Sequence, residues 1–260
     1  MEENQHDFGK NIEFSIKRRI AIIKLNRTSR SNSFTIPFLR DLEKALDFCQ
    51  NHKKIKIIIL TANGTSFSTG MDLGEITKYD YNGVKELEHR AASICKILYN
   101  GKPVICAING RTLGEGVVFL TCCDYRIAVQ DSYFQMPEIN SAIFPGTGCV
   151  SFFSKIIGIS WTKKMLMFAE RVDAQKANTI GLIDEIVENK NLLTTAIEKA
   201  KFLSTKNQIV LNAIKILTNH LHDRKISEAY KLEKIGSDWY RFPDKTRFLA
   251  ELKENFEWAP

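Results

Sequence analysis

The chain has 260 residues, 44% of them hydrophobic, and a formal net charge of +7, so it can fold as one large domain or as a domain with an appendage. It has no run of 18 apolar residues, which predicts no membrane-spanning helix. The polar, acidic first residues do not resemble a secretory signal, and the six cysteines lie mostly in apolar runs, so we expect a cytoplasmic protein with reduced thiols. The positive charges are dispersed, which is typical of a solvated surface.

Hydrophobic periodicity predicts strands that alternate with helices up to residue 187. In chain order the predicted elements are strands at 12–16 and 20–25, a helix opened by Pro37, a strand at 55–60, a helix over about 82–98, a strand at 104–108, a helix from about 115, a strand at 125–129, short helices at 149–157 and 160–169, a helix at 174–180 and a strand at 182–187. From about residue 190 onward the pattern is helical.

This order implies right-handed connections over a parallel sheet, so the expected fold class is α/β with a helical appendage. We divide the chain into a core at residues 1–195 and a C-terminal helical region at residues 196–260. Apolar residues in 209–217 form a stripe that packs either on the core or on a neighbouring subunit, and the pattern favours neither.

Two turn-rich segments that follow buried strands form the candidate site. The first is F-S-T-G-M-D-L at 67–73, and the second is L-G-E-G at 113–116, which opens a helix. Each turn leaves backbone N–H groups free at the carboxyl end of a strand, the edge at which α/β sheets bind ligands. Two such groups that converge on one oxygen form an oxyanion hole. Taken singly, each turn is a weak signal, because Gly-rich turns are common.

Further motifs accompany these turns: L-N-R at 25–27, N-G-R-T-L-G-E-G-V-V at 109–118, C-D-Y-R-I at 123–127, M-P-E at 136–138, F-P-G-T-G at 144–148 and G-L-I-D-E-I-V at 181–187. In this order and spacing, over residues 12–190, the chain resembles the crotonase (enoyl-CoA hydratase/isomerase) superfamily. The resemblance implies a spiral of ββα turns, a C-terminal trimerisation region and an acyl-CoA thioester as substrate, with no other cofactor and no metal. By position, it makes the backbone N–H groups of Met71 and Glu115 the oxyanion donors.

The resemblance also bears on the reaction. Hydratases of the family use two glutamates, whose positions are Val118 and Glu138 here. Valine cannot activate water, whereas a double-bond shift from C3 to C2 needs one carboxylate, which takes a proton from C2 and returns it at C4. An apolar neighbour such as Val118 would keep water out and raise the pKa of that carboxylate. The chain is thus most similar to the mitochondrial-type Δ3,Δ2-enoyl-CoA isomerases, with Glu138 as the candidate base.

Residue 115 departs from the family, which often has Gly at this position. The backbone N–H of Glu115 can still donate, but a carboxylate beside a forming enolate is unfavourable. We therefore expect the Glu115 side chain to turn away or to pair with a base such as Arg111, and a direct acid/base role is the less favoured interpretation.

The resemblance also indicates binding residues and an assembly. The residues expected in the substrate pocket are Leu113, Gly114, Val118 and Phe144. Arg27 and Arg30, near the first strand pair, are candidates for contacts with the phosphates of CoA, although a solvated basic surface explains them equally well. A homotrimer or a dimer of trimers is expected, in fatty acid metabolism and without a membrane partner.

Other functions stay open. Thioester hydrolysis, decarboxylation, carbon–carbon bond formation and hydratase-like chemistry all pass through a thioester enolate in this superfamily, and the M-P-E motif does not separate them. One branch of the superfamily binds RNA through a Lys-rich helix. The predicted helix at 82–98 has few basic residues and balances them with glutamates, so a nucleic acid is the least favoured partner.

Overall fold

The structure is a computed structural model that describes residues 6–221 and residue 250. Its strands are β1 Ile12–Lys17, β2 Ile20–Leu25, β3 Ile57–Ala62, β4 Ser66–Ser68, β5 Val104–Ile108, β6 Arg111–Leu113, β7 Tyr125–Val129, β8 Tyr133–Gln135, β9 Val172–Asp173 and β10 Glu185–Val187. Its α-helices are α1 Ile36–Asn51, α2 Leu73–Ile76, α3 Tyr81–Asn100, α4 Glu115–Thr121, α5 Cys149–Met167, α6 Ala174–Thr179, α7 Leu192–Ser204 and α8 Gln208–Leu221. Short 3-10 helices cover Thr28–Arg30, Glu138–Ser141 and Asn189–Asn191.

The larger sheet has six strands in the order β1-β2-β3-β5-β7-β10. The β1–β2 pair is antiparallel, and every other pair in this sheet is parallel. Both faces are covered: Ile57 and Ile59 pack towards α7, whereas Ile58 and Leu60 pack into the core on the other face. Alternate side chains point to opposite faces of a strand, so burial on both sides explains the unbroken apolar run in β3.

A second sheet of four short strands, in the order β4-β6-β8-β9, lies beside the first. None of these strands is predicted from the sequence, because elements of two or three residues show no measurable periodicity. Three times, a strand of the larger sheet is followed by a short strand of the second sheet and then by a helix. This repeat is the ββα spiral that the resemblance implies, and it confirms the α/β fold class.

The other predicted elements are found with small shifts. The strand predicted at 55–60 lies at Ile57–Ala62, and the one predicted at 182–187 is limited to Glu185–Val187. The two helices predicted at 149–157 and 160–169 both fall in α5, which ends at Met167 and is interrupted at Gly158 by a φ of 72°. Such a positive φ favours glycine, so this residue marks the boundary between the two helical segments.

The C-terminal region predicted at 196–260 lies mostly outside the described residues, so its division from the core at 195/196 and its role in oligomerisation stay predictions. Within the described part, α7 packs against the larger sheet through Leu192, Ala196 and Ala200. No helix in that part combines the length and the apolar content needed to cross a membrane.

A buried lysine attaches α8 to the core. Lys215 is 7% exposed, and its Nζ donates to the carbonyl oxygen of Leu98 at 2.6 Å and to Asp124 Oδ2 at 2.7 Å. Its third acceptor is the carbonyl oxygen of Lys102 at 3.3 Å. A buried ammonium with three acceptors fixes the orientation of the helix that carries it.

Replacing this lysine tests how much the attachment contributes. We expect Lys215→Met to lower the free energy of unfolding by about 2 kcal/mol, because it leaves buried acceptors without a donor. Urea denaturation measures the loss. The control is Lys199→Met, at a lysine that is 43% exposed and paired with Glu185, for which the loss should stay below about 1 kcal/mol. Equal losses in the two variants would contradict the assignment.

Candidate active site

The two turns predicted from the sequence lie against each other through Gly70. This residue has a φ of +76°, and a Cβ added to it would lie 2.9 Å from the carbonyl oxygen of Leu113 and 3.1 Å from the backbone nitrogen of Glu115. Real Cβ atoms essentially never approach another atom as closely as 2.9 Å. Glycine at position 70 is therefore what allows the first turn to contact the second.

The backbone pairing next to Gly70 determines where the Met71 amide points. Phe34 donates to the carbonyl oxygen of Gly70 at 2.8 Å and accepts from the backbone nitrogen of Asp72 at 2.8 Å. The N–H of Met71, between these two residues, faces the opposite way. Within residues 6–221, neither this N–H nor that of Glu115, the first residue of α4, donates to another backbone or side-chain group.

A cavity of about 440 Å³ opens beside the two turns. Its walls include the sequence-predicted residues Met71, Gly114, Glu115, Val118, Glu138 and Phe144. Val118 is 1% exposed, whereas Phe144 is 78% exposed, so the valine forms part of the inner wall and the phenylalanine lies near solvent. Leu113, which the sequence places in the pocket, is not among the lining residues of the described chain.

Glu138 brings a carboxyl group to the backbone of the second turn. It begins the 3-10 helix that follows Pro137, and its Oε1 lies 2.6 Å from the position that a Cβ on Gly114 would occupy. Its Oε2 is buried and has no hydrogen-bond partner within the described chain. Burial raises the pKa of Glu138 above its ordinary value, and a hydrogen bond from its own backbone opposes this only in part.

Glu115 places a second carboxyl group in the same cavity. Its side chain is buried, and the Thr147 hydroxyl lies 2.8 Å from Oε2 and 3.0 Å from Oε1. Burial raises the pKa of Glu115 to about 8; the hydrogen bond from Thr147 opposes the rise, and the charge of Glu138 adds to it. The expectation that this side chain turns away from the site is wrong.

The expected pairing of Glu115 with Arg111 is also wrong. The Arg111 guanidinium donates to Ser66 Oγ at 2.9 Å and to Ser31 Oγ at 2.8 Å. These bonds join the second short strand to the first and to the loop at 28–33. Arg111 therefore stabilises the framework around the turns, and its charge is directed away from the carboxyl group of Glu115.

The two arginines predicted to contact CoA lie around Asp72, next to the first turn. Arg27 Nη1 is 2.7 Å from Asp72 Oδ2 and also donates to Ser33, whereas Arg30 is 59% exposed with Nη2 at 3.4 Å from Asp72 Oδ1. Burial alone would raise the pKa of Asp72, but the hydrogen bonds from Arg27, Ser33 and Arg30 outweigh it and lower the pKa to about 2. Arg27 thus holds the first turn in place, and the side chain of Arg30 is the more exposed to solvent of the two.

Comparison with known proteins identifies the family. The family described as "Enoyl-CoA hydratase/isomerase" matches residues 15–240. The chain belongs to this family. The short-chain-enoyl-CoA hydratase of Clostridium acetobutylicum is 30% identical over 210 residues, which cover 78% of this chain and 76% of the relative. The resemblance noted from the motifs is thereby confirmed, and the chain is an enzyme of the enoyl-CoA hydratase/isomerase family.

Two further matches extend the comparison. The mitochondrial Delta(3,5)-Delta(2,4)-dienoyl-CoA isomerase of Dictyostelium discoideum is 27% identical over 80% of this chain and 76% of its own length. The crystal structure of the enoyl-CoA hydratase from Bacillus anthracis superposes with a TM-score of 0.85 at 26% identity, covering 94% of this chain and 96% of that one. Hydratases and isomerases thus both occur among the relatives of this enoyl-CoA hydratase/isomerase.

Sequence reasoning missed the role of Thr147 in the site. This residue lies in the F-P-G-T-G motif, 32 residues after Glu115, and nothing in the motif indicates which side chain it would contact. The motif itself was the available signal, since it showed that the segment at 144–148 belongs to the site without naming a partner for its hydroxyl group.

Substitution of Gly70 tests the contact between the turns. We expect Gly70→Ala to lower the free energy of unfolding by about 2 kcal/mol, because it combines a positive φ with a backbone clash. Thermal and urea denaturation measure the change. Gly146→Ala is the matched control, since its added Cβ meets no atom within 4 Å, and its effect should stay below about 0.5 kcal/mol. Equal stability of the Gly70 variant and the unaltered protein would contradict the geometry.

The raised pKa of Glu115 predicts a pH-dependent stability. The pKa rises from 4.5 to about 8 on folding, so the folded state keeps a proton that the unfolded state releases. This contribution to stability is complete below about pH 4.5 and is lost as the pH rises towards 8. Glu115→Gln carries no titrating group in either state, so we expect it to gain stability relative to the unaltered protein as the pH increases.

Urea denaturation between about pH 5 and pH 8 measures this difference. Glu138 and the nearby cysteines are present in both proteins, so the difference between the two curves reports the titration of Glu115 together with its coupling to Glu138. Glu75→Gln is the control, because Glu75 lies at the surface and pairs with Lys78. Parallel stability curves for the Glu115 variant and the unaltered protein would show that the buried carboxyl group titrates normally.

Proposed function

We propose that this enzyme converts 3-enoyl-CoA thioesters to 2-enoyl-CoA thioesters by moving a proton from C2 to C4. The observation that carries the proposal is the pairing of Glu138 with Val118 in one cavity. The carboxyl group of Glu138 is desolvated and has one oxygen without a partner in the described chain, as a base that must meet a carbon-bound proton requires. Val118 provides an apolar wall in place of a second catalytic carboxylate.

The thioester oxygen would bind between the N–H groups of Met71 and Glu115. Both amides lack an acceptor within residues 6–221, and Gly70 holds their two turns in contact. When Glu138 removes the C2 proton, negative charge moves onto the thioester oxygen and the dienolate forms. Two fixed amide donors stabilise this charge more than they stabilise the neutral carbonyl group, which lowers the barrier.

The raised pKa of Glu138 fits a group that both takes and returns a proton. The pKa of an ordinary carboxyl group is far below that of a thioester α-proton, so its carboxylate is a poor base towards that proton. Desolvation raises the pKa of the carboxyl group and thereby narrows the difference between the two pKa values. The apolar surface of Val118 near the reacting carbons would limit the access of water to the dienolate. Protonation at C4 then gives the conjugated 2-enoyl thioester.

Hydration is the second candidate reaction. It is favoured by the name of the Clostridium acetobutylicum relative and by the presence of a second carboxyl group, Glu115, in the cavity. We rank it below isomerisation because the residue at position 118, which carries the other carboxylate in the hydratases of this family, is valine. Enolate chemistry such as hydrolysis or decarboxylation of the thioester ranks lower still, since no residue on these walls favours it.

The proposal also covers the residues that contact CoA and the oligomeric state. Arg30, exposed beside the first turn, is the stronger candidate for a contact with a CoA phosphate, and Arg27 would act by holding that turn. We propose a homotrimer or a dimer of trimers in the cytoplasm, acting in fatty acid metabolism. Exposed apolar side chains on α7 and α8, among them Phe202 and Ile214, are compatible with contacts to further protein.

The test supplies 3-hexenoyl-CoA and 2-hexenoyl-CoA separately. We expect the first to be converted to the conjugated isomer, followed by the absorbance of the enoyl thioester, and the second to be hydrated much more slowly. Glu138→Gln should lower the isomerisation rate by about 10²- to 10⁴-fold, since it removes the base but keeps the shape of the side chain. The control is Glu75→Gln at the surface, which should keep the full rate.

Two results would reject isomerisation. One is rapid hydration of 2-hexenoyl-CoA with no shift of the double bond in 3-hexenoyl-CoA. The other is an isomerisation rate that Glu138→Gln leaves unchanged. The first result would move hydration to the leading position, and the second would place the base elsewhere in the cavity.

A further inference from the structure

Glu115 has too few hydrogen-bond donors to be held as an ion. Its carboxyl group is buried, and the Thr147 hydroxyl can give its single hydrogen to only one of the two oxygens at a time. The Cys95 thiol lies 4.0 Å from Oε1 and is a weak donor. No ion pair of Glu115 exists within residues 6–221, where Arg111 is bound to serines. A buried carboxyl group without a cation is stable in its protonated form.

Glu115 also lies where a proton could be delivered to the substrate. It is three residues before Val118 on α4, so both side chains occupy one face of that helix, and both line the cavity. The two carboxyl groups differ in depth: Glu115 is 8% exposed, whereas Glu138 is only partly buried. An acyl chain that starts at the Met71 and Glu115 amides and runs past Val118 therefore lies in a cavity that both acids line.

We propose that Glu115 is a second catalytic acid, which supplies the proton that is added at C4 while Glu138 removes the proton from C2. This inference rests on the proposed isomerisation and divides its proton transfer between two groups. It assigns Thr147 the role of a positioning residue, because the Thr147 hydroxyl touches the Glu115 carboxyl group and holds it in place. The family resemblance assigns only the backbone N–H of this position to the reaction.

The proposed reaction consists of two proton transfers and a recovery step, and it conserves atoms and electrons over one turnover. Glu138 takes the C2 proton, and the electron pair of that C–H bond forms the dienolate. The dienolate then re-forms the carbonyl group, the double bond moves to C2–C3, and C4 takes the proton of the Glu115 carboxyl group. At this point Glu138 is protonated and Glu115 is ionised. After the product leaves, a proton moves from Glu138 to Glu115 through water and restores the starting state, because Glu115 is the more deeply buried of the two and has no cation partner within residues 6–221.

Isotope transfer distinguishes one proton carrier from two. The substrate is 3-hexenoyl-CoA with deuterium at both C2 positions, incubated in ordinary water with the full-length protein. A single carboxylate would carry part of the deuterium from C2 to C4. With two acids, the hydrogen added at C4 comes from Glu115, which has already exchanged with water, so we expect no deuterium at C4 of the product by mass spectrometry and NMR.

The decisive variant is Glu115→Gln, which keeps the backbone N–H but cannot supply the proton. We expect its rate to fall by roughly 10²-fold and deuterium to appear at C4, because Glu138 must then perform both transfers. Thr147→Val should move both readouts in the same direction by a smaller amount, and Thr147→Ser should restore them. The isotope ratio does not depend on how much of a variant is folded. Glu75→Gln is the control and should match the unaltered protein.

Several outcomes would overturn the inference. Deuterium at C4 in the product of the unaltered protein would show a single carrier. A Glu115→Gln variant with full rate would exclude its side chain from the reaction. A slow variant that still transfers no deuterium would also count against the inference, because Glu138 would then be exchanging with water unaided. If the unaltered protein does not isomerise 3-hexenoyl-CoA at all, the proposed function itself fails and the inference fails with it.

Discussion

The backbone contact between Gly70 and the turn at 113–115 is the constraint on which the candidate site depends. Parallel strands end at one edge of a sheet, so β3 and β5, each with its short following strand, bring both turns to the same place. Contact between the turns also requires the absence of a side chain where they meet. Glycine at position 70 meets this requirement, because a Cβ there would lie 2.9 Å from the Leu113 carbonyl oxygen. Hydrogen-bond donors are effective only within narrow limits of distance and angle, so the contact sets the spacing of the two amides.

The hydrogen bonds around the two turns also determine which charged side chains have a partner of opposite charge. Arg27 pairs with Asp72, and Arg111 donates hydrogen bonds to serines around the turns. Both arginines therefore stabilise the backbone that carries the amides. The two acids of the cavity, Glu115 and Glu138, receive no such cation within the described residues. Burial therefore raises their pKa values instead of being offset by an ion pair. Uncompensated acids reduce stability at neutral pH, and such a cost is typical of groups that move protons.

The parts of the fold that could be predicted are those in which burial is periodic over many residues. The helix at Tyr81–Asn100 shows an apolar stripe, and the strand at Val104–Ile108 is apolar throughout because both of its faces are covered. The predicted limits of β3 differ from the observed ones because Ile55 is buried but lies outside the hydrogen-bonded ladder. Hydrophobicity does not show at which residue the hydrogen bonds between strands begin. The second sheet was missed for a related reason, since strands of two or three residues are defined by their partners and not by their own pattern.

The wrong prediction for the Glu115 side chain has the same origin, because the sequence does not predict the second sheet. The positions of Val118 and Glu138 in their motifs were enough to predict that both residues line one cavity, because both follow strands that end at the same edge of a sheet. The direction of the Glu115 side chain depends instead on which partners remain available to it. The sequence does not show that Arg111 already has partners: Ser66 pairs with it in register across the short strands, and this pairing directs its guanidinium to the serines. Without a cation near it among residues 6–221, the carboxyl group is held by the Thr147 hydroxyl against the cavity wall. Burial favours the protonated form of this carboxyl group, and in the proposed reaction a neutral acid would not repel the negative charge that develops on the thioester oxygen.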